Sequence, residues 1–219
     1  MTQESGRGNE GYAEEADALA RQYESVRFVD VHRHVLHLLP PAPSDVLDIG
    51  AGTGRDASAL AAMGHRVVAV EPTAEFRERA ATLHPSPRIE WVSDHLPSLP
   101  VLARRGRQFD VVMLTGVWIH LDPGQRREAM PRVASILRAG GLLAMTLRHG
   151  PAPSGRRRLH ETSADETSGL AAAHGLRVLV RVDDQADFYG RREVTWTSLA
   201  FRRELGPVRG VGEPGAPSA

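Results

Sequence analysis

An acid and three glycines set close together, Asp48-Ile49-Gly50-Ala51-Gly52-Thr53-Gly54, stand between the apolar run Val46-Leu47 and a helix-forming stretch from Arg55 to Met63. Strand, glycine turn, helix is the order that opens a parallel α/β sheet. Glycines alternating with small residues let the backbone turn sharply and let a ligand approach closer than side chains would permit. The helix starting near Gly54 or Arg55 aims unpaired N–H groups and a positive dipole end at whatever lies over the turn. A nucleotide-like ligand is expected there. Dinucleotide folds normally read G-x-G-x-x-G, with a pyrophosphate over the turn. Here the spacing is G-x-G-x-G, and Asp48 would meet a pyrophosphate unfavourably but would accept hydrogen bonds from an ammonium group. The turn therefore points to a cationic ligand and away from a nicotinamide oxidoreductase.

A chain of 219 residues suits one α/β domain with a sizeable core. Hydrophobic content of 41% and charged content of 25% are ordinary for a globular protein. The net charge is zero, so nothing draws the chain to nucleic acid or an anionic membrane as a whole, and neither partner is expected. All 27 basic residues are arginine, which with abundant Ala, Gly and Pro reads as the coding bias of a GC-rich, bacterial genome. The absence of cysteine removes disulfides, thiolate metal sites and nucleophilic thiols together. The polar start and the lack of a long apolar run predict a cytoplasmic protein.

Residues 1–11 have nothing to bury and are expected to be a disordered arm. Glu14 to Leu39 carries helical spacing, as one helix broken near Ser25 to Val29 or as two. His32, His34 and His37 are spaced wrongly for one helical face, so no metal site is expected. Pro40 to Pro43 end this region. The second strand, Arg66 to Val70, is apolar without alternation, as in a sheet buried on both faces. It ends at Glu71-Pro72, 21 residues after Gly50, where an acid can accept hydrogen bonds from both hydroxyls of a ribose. Thr73 is placed to cap a helix to Leu83. Further strands are predicted at Arg88 to Val92, Phe109 to Leu114, Leu142 to Leu147, Leu176 to Val182 and Glu193 to Phe201. Helices are predicted at Leu96 to Arg104, Pro123 to Leu137 with a possible kink at Pro131, and from Thr162 or Ser163 to Ala173. In an open parallel sheet ligands lie beyond the carboxyl ends of the central strands, which puts Thr115 to Pro123 at the chemistry.

These motifs, in this order from about Asp45 to Phe201, resemble the class I S-adenosylmethionine-dependent methyltransferases, and in particular small bacterial members acting on small molecules. Asp48 to Gly54 matches the family's D/E-x-G-x-G-x-G in full. Leu137-Arg138-Ala139-Gly140-Gly141 resembles its L-x-P-G-G, with alanine for proline. The resemblance implies a Rossmann-like, doubly wound sheet of order 3-2-1-4-5-7-6 with strand 7 antiparallel. The implied domains are a helical lid at 12–40, a methyltransferase domain at 41–203 and a flexible tail at 204–219.

For the cofactor S-adenosyl-L-methionine, with S-adenosyl-L-homocysteine as product, the resemblance implies contacts from Asp48, Gly50, Ala51, Gly52 and Gly54. It adds Glu71 and Pro72 at the ribose, Asp94, His95 and Leu96 at the adenine, and Thr115 and Gly116 at the methionine part. Tyr23 and Arg27 of the lid are further candidates, although Tyr23 and Phe28 also read as core and Arg27 as solvated. Asp94 equally reads as a turn or cap residue. On the acceptor side, Phe28 and Trp118 are candidates to line the pocket, and Arg148, Arg156 and Arg158 to face an anionic group; the loop arginines equally read as solvated. His120 and His149 are the candidate bases, since imidazole titrates near neutral pH, with a structural role for His120 as the competing reading. The expected acceptor is a small molecule methylated at O or N, of the secondary-metabolite type, on a monomer or homodimer. The alternatives are methylation of a protein or RNA, and a non-catalytic regulatory protein that binds the cofactor.

Overall fold

Both faces of each central strand are covered, which is why these strands read as unbroken apolar runs. In the computed structural model, which describes residues 19–152 and 159–205, β1 (Asp45–Ile49) and β2 (Arg66–Val70) send alternate side chains to opposite layers. Leu47, Ile49, Val68 and Val70 enter one core; Val46, Val67 and Ala69 enter the other. The first core is closed by α3 (Pro100–Arg105), α4 (Pro123–Ile136) and α5 (Ala164–Ala172), through residues such as Leu102, Met130, Val133 and Ala171. The second is closed by α1 (Arg55–Ala62), whose Ala57, Leu60 and Ala61 let it lie close to the sheet, together with Phe28 and Val35. Helix α2 (Ala74–Leu83) packs Phe76 against Leu19 and Tyr23 of the amino-terminal helical stretch 19–24.

The remaining strands are β3 (Ile89–Val92), β4 (Phe109–Thr115), β5 (Leu137–His149), β6 (Leu176–Ala186) and β7 (Thr195–Arg203). They form one seven-stranded sheet of order β3-β2-β1-β4-β5-β7-β6. Pairing is parallel from β3 through β5, and β7 inserts antiparallel between β5 and β6. This is the expected sheet. Its direction of winding reverses between β1 and β4, so the turn after β1 and the turn after β4 open on one crevice.

Several boundaries differ from the periodicity. The amino-terminal region breaks after residue 24, where a break is expected, into the stretch 19–24 and a turn of helix at Phe28–Val31, and then has only a short 3-10 turn at Leu36–Leu38. Strand β5 begins at Leu137 rather than Leu142, because Arg138 to Gly141 bulge out of the ladder between the pairs Phe109–Leu137 and Val111–Leu142. Helix α3 starts four residues later than expected, at its Pro100, and Pro131 is accommodated inside a continuous α4. Strand β6 runs on to Ala186 as an edge strand. Among the described residues no helix is long and apolar enough to cross a membrane.

Candidate functional site

The apolar row of β1 that begins at Val46 continues to Asp48, so the strand ends by pointing a carboxylate into the layer beneath α1. There Asp48 is 1% exposed, and its Oδ2 has no hydrogen-bond partner among the described residues. Burial, and then the charge of Asp56, push its pKa well above the ordinary value. Asp56, in the first turn of α1, goes the other way. Burial would raise it, but the His32 imidazole and the Arg55 guanidinium outweigh that and hold its carboxyl well below the carboxylate range. His32 Nε2 lies 2.7 Å from Asp56 Oδ2, Arg55 Nε donates to Oδ1 at 2.7 Å, and the Thr115 hydroxyl donates to Oδ2 at 2.8 Å. The end of β4 is thereby tied to the start of α1.

The glycine turn bends over Asp48 with positive φ at Gly50, Gly52 and Gly54, each beside a different neighbour. A Cβ on Gly50 would come 2.4 Å from Val117, just past β4. On Gly52 it would meet Tyr23 at 3.9 Å, and on Gly54 it would strike the Trp91 ring at 2.7 Å. Glu71 bridges the turn and the end of β2: Oε2 accepts from Gly52 N at 2.9 Å and Oε1 from Thr73 N at 2.9 Å. Burial raises the Glu71 pKa against these two hydrogen bonds. Asp94 accepts from His95 N at 3.0 Å and from Leu102 N at 2.8 Å, so it caps the segment after β3.

These groups wall one cavity of about 620 Å³. Of the residues singled out above, Asp48, Gly50, Ala51, Gly52, Glu71, Pro72, Asp94, His95, Leu96, Thr115, Gly116, Tyr23, His120 and Arg148 lie on it. Tyr23 covers the turn, its ring stacked on Phe76 at 6.4 Å and its carbonyl accepting from Arg55 Nη1 at 3.4 Å. His120 ends a 3-10 turn that directly follows β4.

Five candidates stand elsewhere. Gly54 serves helix packing against Trp91 and does not reach the cavity. Arg27 points into solvent with 77% of its side chain exposed and pairs with Asp30. Phe28 is buried beside His32, and Trp118 is wholly buried in the core under α4. In both, an aromatic ring next to a site gained more from the core than from the crevice. His149 bonds the Thr197 hydroxyl at 2.9 Å and lines a smaller side recess, of about 260 Å³. Arg148 lies on both cavities, and its guanidinium donates to the carbonyls of Gly150 and Pro151 at 3.2 and 2.8 Å. Arg156 and Arg158 lie outside the described residues.

The structure also adds wall residues that no motif marked. Arg55 and Asp56 follow the glycine turn directly, and an Arg-Asp pair at a helix start was a usable signal. Thr146 and Ser198 are polar interruptions of apolar strands. Phe188, Tyr189, Arg191 and Trp196 come from the β6–β7 connection and the start of β7. Among the described residues no three His, Asp or Glu side chains gather to hold a metal ion.

A doubly wound sheet with an acid-lined crevice at its switch point defines a Rossmann-like protein, and the acids give that crevice a wall suited to a cationic ligand. The profile of a family described as "Methyltransferase domain" matches residues 46–141. An uncharacterized methyltransferase of Mycobacterium tuberculosis is 34% identical over 109 residues, 49% of this chain and 41% of that relative. The chain thus spans less than half the length of that curated relative. Among solved structures, the 1,6-didemethyltoxoflavin-N1-methyltransferase of Burkholderia thailandensis superposes with a TM-score of 0.58 at 20% identity, over 88% of this chain and 90% of its own. The [4+2]-cyclase SpnF superposes with a TM-score of 0.64 at 18% identity, over 92% and 86%. Over residues 46–141 the chain is similar to methyltransferase domains, and its sheet has the strand order expected from that resemblance.

Proposed function

We propose that this chain binds S-adenosylmethionine and transfers its methyl group to an O or N atom of a small molecule. The observation that carries the reading is Asp48, a carboxylate buried with one oxygen unpartnered at the foot of the glycine turn. Such an atom is costly unless a cationic or hydrogen-bonding ligand meets it. The rest of the wall fits the same ligand. On this reading Glu71 and Pro72 hold the ribose, Asp94, His95 and Leu96 the adenine, and Thr115, Gly116 and Tyr23 the methionine part; that all of them line the one cavity supports it. Arg55 adds a cation near the turn.

When bound, the cofactor supplies a methyl group already activated by a positive sulfur. The chain's own task is therefore to align an acceptor lone pair and to exclude water. Tyr23 covers the turn from the amino-terminal side and Tyr189 and Phe188 close the cavity from the β6–β7 side. His120, on the wall just past β4, takes the proton that an O–H or N–H acceptor gives up. A concave cavity of about 620 Å³ in a chain of zero net charge favours a small molecule over a protein or RNA.

Structural likeness alone does not select methyl transfer, since one superposable protein is a cyclase. Formation of S-adenosylhomocysteine separates the possibilities. Incubation with S-adenosylmethionine and a panel of small O- and N-nucleophiles is expected to yield it with at least one acceptor. Tight cofactor binding with no turnover across such a panel would favour a regulatory or non-methylating role.

A further inference from the structure

The acceptor side of the cavity is built on the antiparallel pair β5–β7. Thr146 stands opposite Ser198, and Arg148 opposite Trp196. Alternation along the strands puts both rungs on the cavity face, while Leu147 and Leu199 turn to the core on the other side. The Thr146 hydroxyl accepts from Gly116 N at 2.9 Å, and the Ser198 hydroxyl from Gln185 Nε2 at 2.8 Å. A hydroxyl used as an acceptor keeps its own proton to donate. The Trp196 ring borders Gly116, where a Cβ would lie 3.5 Å from the indole, so it flanks the end of β4.

Asp187 holds this wall together. Its side chain is fully buried. Oδ2 accepts from Tyr189 N at 3.0 Å, Arg191 N at 3.2 Å and Arg191 Nε at 2.9 Å; Oδ1 accepts from Arg191 Nη2 at 2.7 Å and Trp196 Nε1 at 2.9 Å. One carboxylate therefore fixes the fold of the connection and the orientation of the indole. Phe188, carried by the same connection, is braced from the amino-terminal side by Arg33, 5.6 Å from its ring centroid. Of the two cations of this wall, Arg191 is paired with Asp187 and Arg148 donates to the carbonyls of Gly150 and Pro151, which leaves ring faces and hydroxyls as the recognition chemistry.

We infer that the methyl acceptor is a planar aromatic molecule carrying a hydrogen-bond-accepting atom. Its ring is seated against Trp196 and its polar atom is placed over the hydroxyls of Thr146 and Ser198. Asp187 is the positioning residue for that seat. The inference rests on the methyl-transfer reading above, and it names the acceptor class for that site.

The probes are 2-naphthol and its saturated counterpart decahydro-2-naphthol, which share a hydroxyl and a two-ring frame and differ in aromaticity. Their binding to the full chain, with and without S-adenosylhomocysteine, is followed by ligand-observed NMR. Naphthol is expected to bind about fivefold more tightly than the decalin alcohol, as ring–ring contact predicts. Trp196→Leu should abolish that preference and Trp196→Phe, which keeps a ring, should retain it. Asp187→Asn should weaken naphthol about threefold or more while leaving S-adenosylhomocysteine affinity unchanged. Equal binding of the two alcohols, or a preference that survives Trp196→Leu, overturns the inference. So does Asp187→Asn weakening both ligands alike. Failure to bind S-adenosylhomocysteine with the aromatic preference intact overturns the methyl-transfer reading and leaves the ring seat standing.

Discussion

Asp48 and Asp56 lie close together in a buried layer and differ in the company they keep. Asp56 has His32, Arg55 and Thr115; Asp48 has one unpartnered oxygen. A carboxyl whose folded pKa is raised contributes stability fully below its unfolded value and loses that contribution as pH rises through the folded value. For Asp48 the window opens at the ordinary 3.8 and extends upward. Thermal unfolding of the ligand-free protein should therefore show stability falling with rising pH across this window, and Asp48→Asn should flatten that slope while weakening cofactor binding. An unchanged slope in the variant would remove Asp48 as its source. His120 makes a second prediction at this scale. If it takes the acceptor's proton, His120→Ala lowers turnover by about 100-fold or more with cofactor affinity intact. A loss of only a few-fold would leave alignment as the mechanism.

At the scale of elements, the glycine turn joins three neighbours. Gly50 makes room for Val117 and Gly54 for Trp91 of β3, while Gly52 lies in ordinary contact range of Tyr23. Gly54 has φ +86 and would place a Cβ 2.7 Å from the Trp91 ring. Gly54→Ala should therefore cost about 1–2 kcal/mol in backbone strain plus a steric share. In a Trp91→Leu background the steric share should shrink to what Ala80, 3.3 Å from the added Cβ, still imposes, which a double-mutant cycle by chemical denaturation measures. Full additivity would show that the ring is not the obstacle.

This contrast also explains what the sequence made legible. The turn after β1, Glu71 and the loop after β4 could be found because local backbone chemistry demands particular residues at fixed spacing. Trp118 was misplaced because nothing in local sequence says whether an aromatic beside a crevice faces in or out; burial in the core under α4 decided it. The β6–β7 wall was invisible because its logic is a long-range register, Thr146 with Ser198 and Arg148 with Trp196, gathered by one aspartate.

For the whole molecule, the edge of the sheet opposite the crevice is held by charge. Asp45 at the start of β1 accepts from Arg66 at 2.7 Å, Arg138 at 2.8 Å and Arg107 at 3.1 Å, joining β2 and the approaches to β4 and β5. The Arg66 hydrogen bond first, helped by the other two arginines against burial, holds its carboxyl well below the ordinary value. The stability this gives is present above 3.8 and is lost as pH falls toward the folded pKa. Because the arginines are partly exposed, Asp45→Asn should cost only about 1–2 kcal/mol near neutral pH. That difference should shrink in high salt and disappear in acid, as read by denaturant melts. A cost that persists at low pH would assign it to packing. The two ends of β1 thus respond to pH in opposite senses, Asp45 favouring higher pH and Asp48 lower.

The central claim concerns the crevice, and calorimetric titration tests it most directly. S-adenosylmethionine and S-adenosylhomocysteine are each titrated into the protein and into Glu71→Ala, with NADH as control. The account predicts binding of the first two and not of NADH, with Glu71→Ala weakening both by about 1–3 kcal/mol through lost charge-assisted hydrogen bonds. Binding of NADH in their place, or unchanged affinity in Glu71→Ala, would contradict it.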